Sequence, residues 1–177
     1  MKNPTSGGTF FCASCLVSTL AAAVLAALLM SGSRLNAKEP AADPALTQAR
    51  EQVKMLDELY KNAVVSITNK YNGPPAIKVA KDVFAAMEKS GWHKAKLVDA
   101  TGSPQNEANL PQTPFEKRAV KVIQGGQPYY EEVIGQGTDR TLHAATVVPA
   151  VLKKCASCHG VEQGDLLGFI RYEIPVK

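Results

Sequence analysis

The chain is expected to fold as an α+β protein, an antiparallel sheet with its helices segregated to one side. Three observations lead there. Between residues 46 and 89, apolar residues recur at three- and four-residue steps over two long stretches. Beyond residue 127 the period shortens, and β-type runs follow one another across short glycine turns. The chain has 177 residues, 45% hydrophobic and 20% charged, which suits one domain with its own core and excludes overall disorder.

Residues 1–37 read as a targeting segment. Lys2 precedes an uncharged run of 21 residues, Phe10 to Met30, and Ser31 to Ala37 supply small residues before the change to Lys38-Glu39-Pro40. That order is the order of a secretory signal peptide. The run is also long enough to span a bilayer, so a retained anchor over residues 10–30 stands beside a cleaved signal. Both send the rest of the chain out of the cytoplasm, to the periplasm or another extracytoplasmic space. Residues 38–45, broken by proline and alanine pairs, form a linker.

The remaining elements follow from spacing and punctuation. Leu46, Ala49, Val53, Leu56, Leu59, Tyr60, Ala63, Val64 and Ile67 predict a helix to about Lys70, capped by Asp43 or Thr47 and stopped by Asn72-Gly73-Pro74-Pro75. A second helix runs from about Pro75 to Lys89, with Ile77, Val79, Ala80, Val83, Phe84 and Met87 on its apolar face and Ser90-Gly91 at its end. His93 to Ala100 is a short strand. Thr101 to Pro114 is a polar loop. Thr113-Pro114-Phe115-Glu116 carries the pattern of a capping box and starts a third helix, which reaches Gln124 before Gly125-Gly126. Gln127 to Val133, Thr138 to Val148 and Leu166 to Val176 are strands.

The four cysteines form two copies of one tetrapeptide, Cys-Ala-Ser-Cys, at residues 12–15 and 155–158. The first copy opens the apolar run, where cysteine serves as a small apolar residue. Its position at the start of that run does not suit a lipoprotein. The second copy is followed by His159, which completes the attachment pattern of c-type haem. The spacing has a chemical reason. Each thiol adds to one vinyl group of the porphyrin, and the adjacent imidazole is held under the iron as proximal ligand. Zinc would want a fourth ligand and a second cysteine pair. A thiol-disulfide oxidoreductase would place its pair after the first strand of a βαβ unit. A structural disulfide is the remaining alternative. The expected cofactor is one covalent haem c held by Cys155, Cys158 and His159.

In this setting the chain resembles the c-type haem family with a PAS-like fold, formerly catalogued as a domain of unknown function. The resemblance runs from Leu46 to Val176. It rests on Ala76-Ile77-Lys78-Val79, Gly91-Trp92, Asn106 to Asn109, Phe115-Glu116, Cys155 to Gly160 and Gly168-Phe169-Ile170. It implies a PAS-like antiparallel sheet over residues 46–177 with one haem, as a free redox protein or as the sensory part of a receptor. Members of the family can supply a sulfur ligand from the second helix. Here the equivalent is Ala80, so another group fills the sixth iron position or it stays open. His143, on the strand before the motif, is the first candidate distal ligand, followed by Met87, His93 and Met55.

Trp92, Tyr129, Tyr130, Phe115 and Phe169 are expected in the core or the haem pocket. Arg140 and Arg171 are candidates for the propionates or for plain surface roles. Lys153-Lys154 is either a docking patch for an acidic redox partner or a solvated pair. The net charge is +4, and residues 1–37 hold two of the basic residues and no acid. The exported part is nearly neutral, which argues against a nucleic-acid partner. A membrane partner enters only with a retained anchor. Electron transfer with a partner protein is the first function expected. A haem-based redox or gas sensor is the second, and a peroxidase the third.

Overall fold

The computed structural model describes residues 42–73 and 75–177. The targeting segment at 1–37 and the first part of the 38–45 linker lie outside the described residues. Among the described residues no helix is long and apolar enough to cross a membrane.

The first helix, α1, spans Pro44–Lys70. Asp43 caps it, its carboxylate accepting from the Leu46 amide at 3.1 Å, and the same carboxylate pairs with Arg140. Its buried stripe is Ala49, Val53, Leu56 and Tyr60, the three- and four-residue spacing that one helix face requires. Helix α2 spans Ala76–Lys89 and buries Ala76, Ala80 and Phe84 at four-residue steps. Strand β1 is Lys94–Asp99. The polar loop holds one 3-10 turn, Glu107–Asn109. Helix α3, Pro114–Gln124, starts in the expected capping box. Strands β2 (Tyr129–Ile134), β3 (Thr141–Pro149) and β4 (Leu166–Pro175) complete the sheet.

The sheet order is β1-β4-β3-β2, and every pairing is antiparallel. The α+β class is as expected, but the placing of the helices needs correction. Helices α1 and α2 cover one face, packing on Leu142, Ala144, Ile170, Tyr172 and Ile174. Helix α3 covers the other, its Phe115, Ala119 and Ile123 meeting Val98, Ala145 and Phe169. The reason lies in β3 and β4. They are the central strands and carry apolar residues on both faces, so one layer of helices cannot cover them.

Edge strand β2 is fastened to both helical layers by alternating pairs. On one face the Tyr129 hydroxyl donates to Glu131 at 2.6 Å, and Glu131 pairs with Arg50 of α1. On the other, Tyr130 donates to Glu132, which pairs with Arg118 of α3 at 2.6 Å.

Candidate functional site

The cysteine–histidine motif lies on a short helix the sequence did not announce. Helix α4 spans Lys153–His159, between β3 and β4, and ends at Gly160. Ala156 is buried and anchors it, whereas Cys158 and His159 are exposed and Cys155 is half-buried. On a helix, residues i, i+3 and i+4 share one face. Cys155, Cys158 and His159 stand at those positions, within an arc of roughly 100° and roughly 6 Å of axis. Both thiols are free. Among the described residues no three His, Cys, Asp or Glu side chains converge to hold a single ion. The three donors are spread over a face. That spread suits a flat ring bonded at two edges and ligated at its centre.

Two contacts fix α4. Lys154, expected in a docking patch or as a solvated lysine, turns back to the end of α1. Its ammonium donates to the Thr68 carbonyl at 3.1 Å, the Tyr71 carbonyl at 3.3 Å and the Asn72 side chain at 3.0 Å. These carbonyls lie at a helix C-terminus, where acceptors are left over and the dipole is negative, so a cation is favoured there. On another side, Gln105 of the polar loop donates to the Cys158 carbonyl at 3.2 Å. Lys81 of α2 ties that loop down through Asn109 at 2.9 Å. Nothing in residue spacing signalled Lys154 or Gln105, because both act through contacts distant in sequence.

The structure does not gather the other candidates around α4. His143 is on the α3 side of the sheet, edge-on to Phe115 at 5.5 Å between centroids. In register it stands between Glu132 and Glu173. Six residues, roughly 20 Å of strand, separate it from the end of β3. His93 is 6% exposed, and its Nε2 lies 2.9 Å from the Tyr60 hydroxyl. Met55 is 62% exposed on α1. Met87 is in the last turn of α2, and Ala80 is in the core. Arg171 pairs with Glu116 and Glu173, each at 3.1 Å. Arg140 is held by Asp43. Of the aromatics, Phe115 and Phe169 are core residues, while Trp92 is 69% exposed and Tyr129 38% exposed. Trp92 falls in the turn between α2 and β1, beyond the apolar face of either element.

Burial pushes the imidazoles of His93 and His143 down, with Glu173 partly opposing this at His143. The unfolded chain therefore takes up protons first as pH falls through 6.5, the ordinary histidine value, and stability is lost below it. The melting temperature should fall between about pH 7.5 and about pH 5. A flat profile would contradict one buried and one half-buried neutral imidazole.

Residues 36–170 match the family described as Tll0287-like. The chain belongs to the Tll0287-like family. The match covers most of the resemblance drawn from the motifs. No curated protein matches the chain. Among solved structures, the crystal structure of the cyanobacterial heme-protein Tll0287 is similar, with a TM-score of 0.52 and 16% identity. The alignment covers 76% of this chain and 97% of that one. At that identity the likeness is one of fold. It assigns the Tll0287-like fold to the layered arrangement above.

Proposed function

We propose that this protein binds one haem covalently on α4, with thioether bonds from Cys155 and Cys158 and with His159 as proximal iron ligand. The observation that carries the reading is the placing of two free thiols and an imidazole at i, i+3 and i+4 on the exposed face of one short helix. The similar cyanobacterial protein, itself a heme-protein, supports it. When bound, the haem supplies a one-electron iron couple. The chain's own part is to hold and orient the group. Lys154 locks the helix to α1, and Gln105 braces the Cys158 carbonyl. The uncharged run at 10–30 supports export, across the membrane where covalent haem is attached, and electron transfer to a partner protein is the first role.

The test is the double variant Cys155→Ser with Cys158→Ser. It should lose all haem stain on a denaturing gel when expressed with attachment machinery, while the parent band stains. A variant band that still stains would sink the covalent assignment.

One observation favours a second reading, a haem-based gas or redox sensor. His93 is engaged with Tyr60, and His143 lies across the sheet from α1, so neither histidine is presented to α4. An iron with one protein ligand would accept an external one. Ferrous protein whose spectrum shifts with carbon monoxide would favour the sensor. A six-coordinate spectrum that carbon monoxide leaves unchanged would favour the carrier.

A further inference from the structure

Beneath α1 lies a set of buried aromatic and titratable groups that the haem reading does not use. Tyr60 of α1 is 6% exposed and Tyr172 of β4 is fully buried. Their rings are nearly parallel, 7° apart in plane, with centroids at 6.5 Å. Each phenol has a base within reach. The Tyr60 hydroxyl is 2.9 Å from His93 Nε2, and the Tyr172 hydroxyl donates to Asp57 at 3.2 Å. Oxidising a phenol that keeps its proton would leave a cation in an apolar interior, which is costly. A base at hydrogen-bond distance removes that cost by taking the proton as the electron leaves.

We propose that Tyr60 is a redox-active tyrosine, a one-electron donor to a metal-centred oxidant, with His93 as its proton acceptor and Tyr172 as a stacked partner that shares the oxidation. One electron passes from the Tyr60 ring to the oxidant. The phenolic proton moves to His93 Nε2, the Nδ1-protonated imidazole becoming imidazolium. The products are a neutral Tyr60 phenoxyl radical and an oxidant reduced by one electron. The radical can pass on. Tyr172 gives an electron to Tyr60 and its proton to Asp57, while His93 returns a proton to Tyr60.

The two bases are unequal. Asp57 is already engaged by Lys61 at 2.7 Å and by the Thr146 hydroxyl. Tyr60 is therefore where the radical settles. Lys94, next to His93 in sequence, turns to Glu88 and Glu173, so Tyr60 is the polar group facing the imidazole. Along α1, Tyr60 stands eight residues, roughly 12 Å, from Thr68, the residue held by Lys154 of the motif helix. The pair does not require the haem reading to be right, because any metal-centred oxidant near that end of α1 would serve.

The test uses the full chain with Tyr71→Phe and Trp92→Phe, which remove two exposed donors, 65% and 69% accessible. The probe oxidant is flash-generated tris(bipyridine)ruthenium(III), and the radical is read by freeze-trapped electron paramagnetic resonance. A neutral tyrosyl signal should appear and fall several-fold in Tyr60→Phe. His93→Gln should slow its formation by about a hundredfold. In the parent, the rate should drop as His93 is protonated at low pH and show a solvent deuterium effect. That measurement needs no core substitution and stands if a variant fails to fold. A signal unchanged by Tyr60→Phe would overturn the proposal. So would a parent rate indifferent to both pH and deuterium, the result a merely structural hydrogen bond gives.

Discussion

Gly168→Ala should destabilise the protein by about 3 kcal/mol or more, with a proportionate fall in the urea midpoint. Gly168 lies in β4, opposite Asp99 of β1 and Val148 of β3. A Cβ there would stand 2.1 Å from the Val98 carbonyl oxygen and 3.2 Å from the Asp99 Cα. Both are backbone atoms, so no side chain can rotate out of the way. Relief requires β1 to move off β4, its one partner in the sheet. Ordinary overpacking costs about 1–3 kcal/mol, and displacing a strand lies at or above the upper end. Against a total stability of about 5–15 kcal/mol, that is a large share. A loss below about 1 kcal/mol would mean that the β1–β4 contact is softer than its geometry.

Glu116→Ala should cost about 3–5 kcal/mol, the range seen when one member of a buried ion pair is removed. The Glu116 side chain is fully buried in the first turn of α3. It accepts from the Gln112 amide at 2.7 Å and the Thr113 amide at 3.0 Å, and pairs with Lys96 at 3.3 Å and Arg171 at 3.1 Å. Deleting it orphans two backbone donors and leaves two cations facing one another. The Arg171 Nε, also buried, already lacks an acceptor.

The same carboxylate gives a pH signature. Burial pushes its affinity for protons up. The two amides and the two cations more than offset this, so it titrates below its ordinary 4.5. A group lowered on folding contributes stability above its unfolded value, and that stability is lost as pH falls through 4.5 and below. Glu116→Gln should be less stable at neutral pH and lose less on acidification. Parallel acid titrations of the two proteins would refute the assignment.

Much of this was readable from the chain. The spacing of Ala49, Val53, Leu56 and Tyr60 announced the buried stripe of α1, and Thr113 and Glu116 announced the capping box at the start of α3. These are local signals, written within a turn or two of helix. What escaped was set by partners distant in sequence. The double-sided burial of β3 and β4 was hidden, because Ala144-Ala145 and Phe169-Ile170 read as apolar without showing which face meets which helix. The motif's residue types were plain, but its helix was not. Seven residues held by one buried alanine, Lys154 and Gln105 carry no periodicity. The burial of His93 depends on Tyr60, 33 residues away on α1, and no local spacing reveals it.

The paired fastenings of β2 carry a further consequence. Tyr129-Tyr130-Glu131-Glu132 repeats each residue type once, so both faces of the strand present the same tyrosine–glutamate couple. If the strand slipped by one residue, one of Arg50 and Arg118 would find a glutamate at its partner's old position, and the other would find its glutamate on the same face but two residues away, roughly 7 Å along the strand. A slip normally turns a strand's side chains to the wrong faces and is penalised for that. Here the polar pairs resist a slip only in part, and the hairpin that follows fixes the alignment. At Gly135 a Cβ would come 2.3 Å from the Asp139 carbonyl oxygen. The turn can close tightly only with glycine there, and that closure keeps β2 in step with β3.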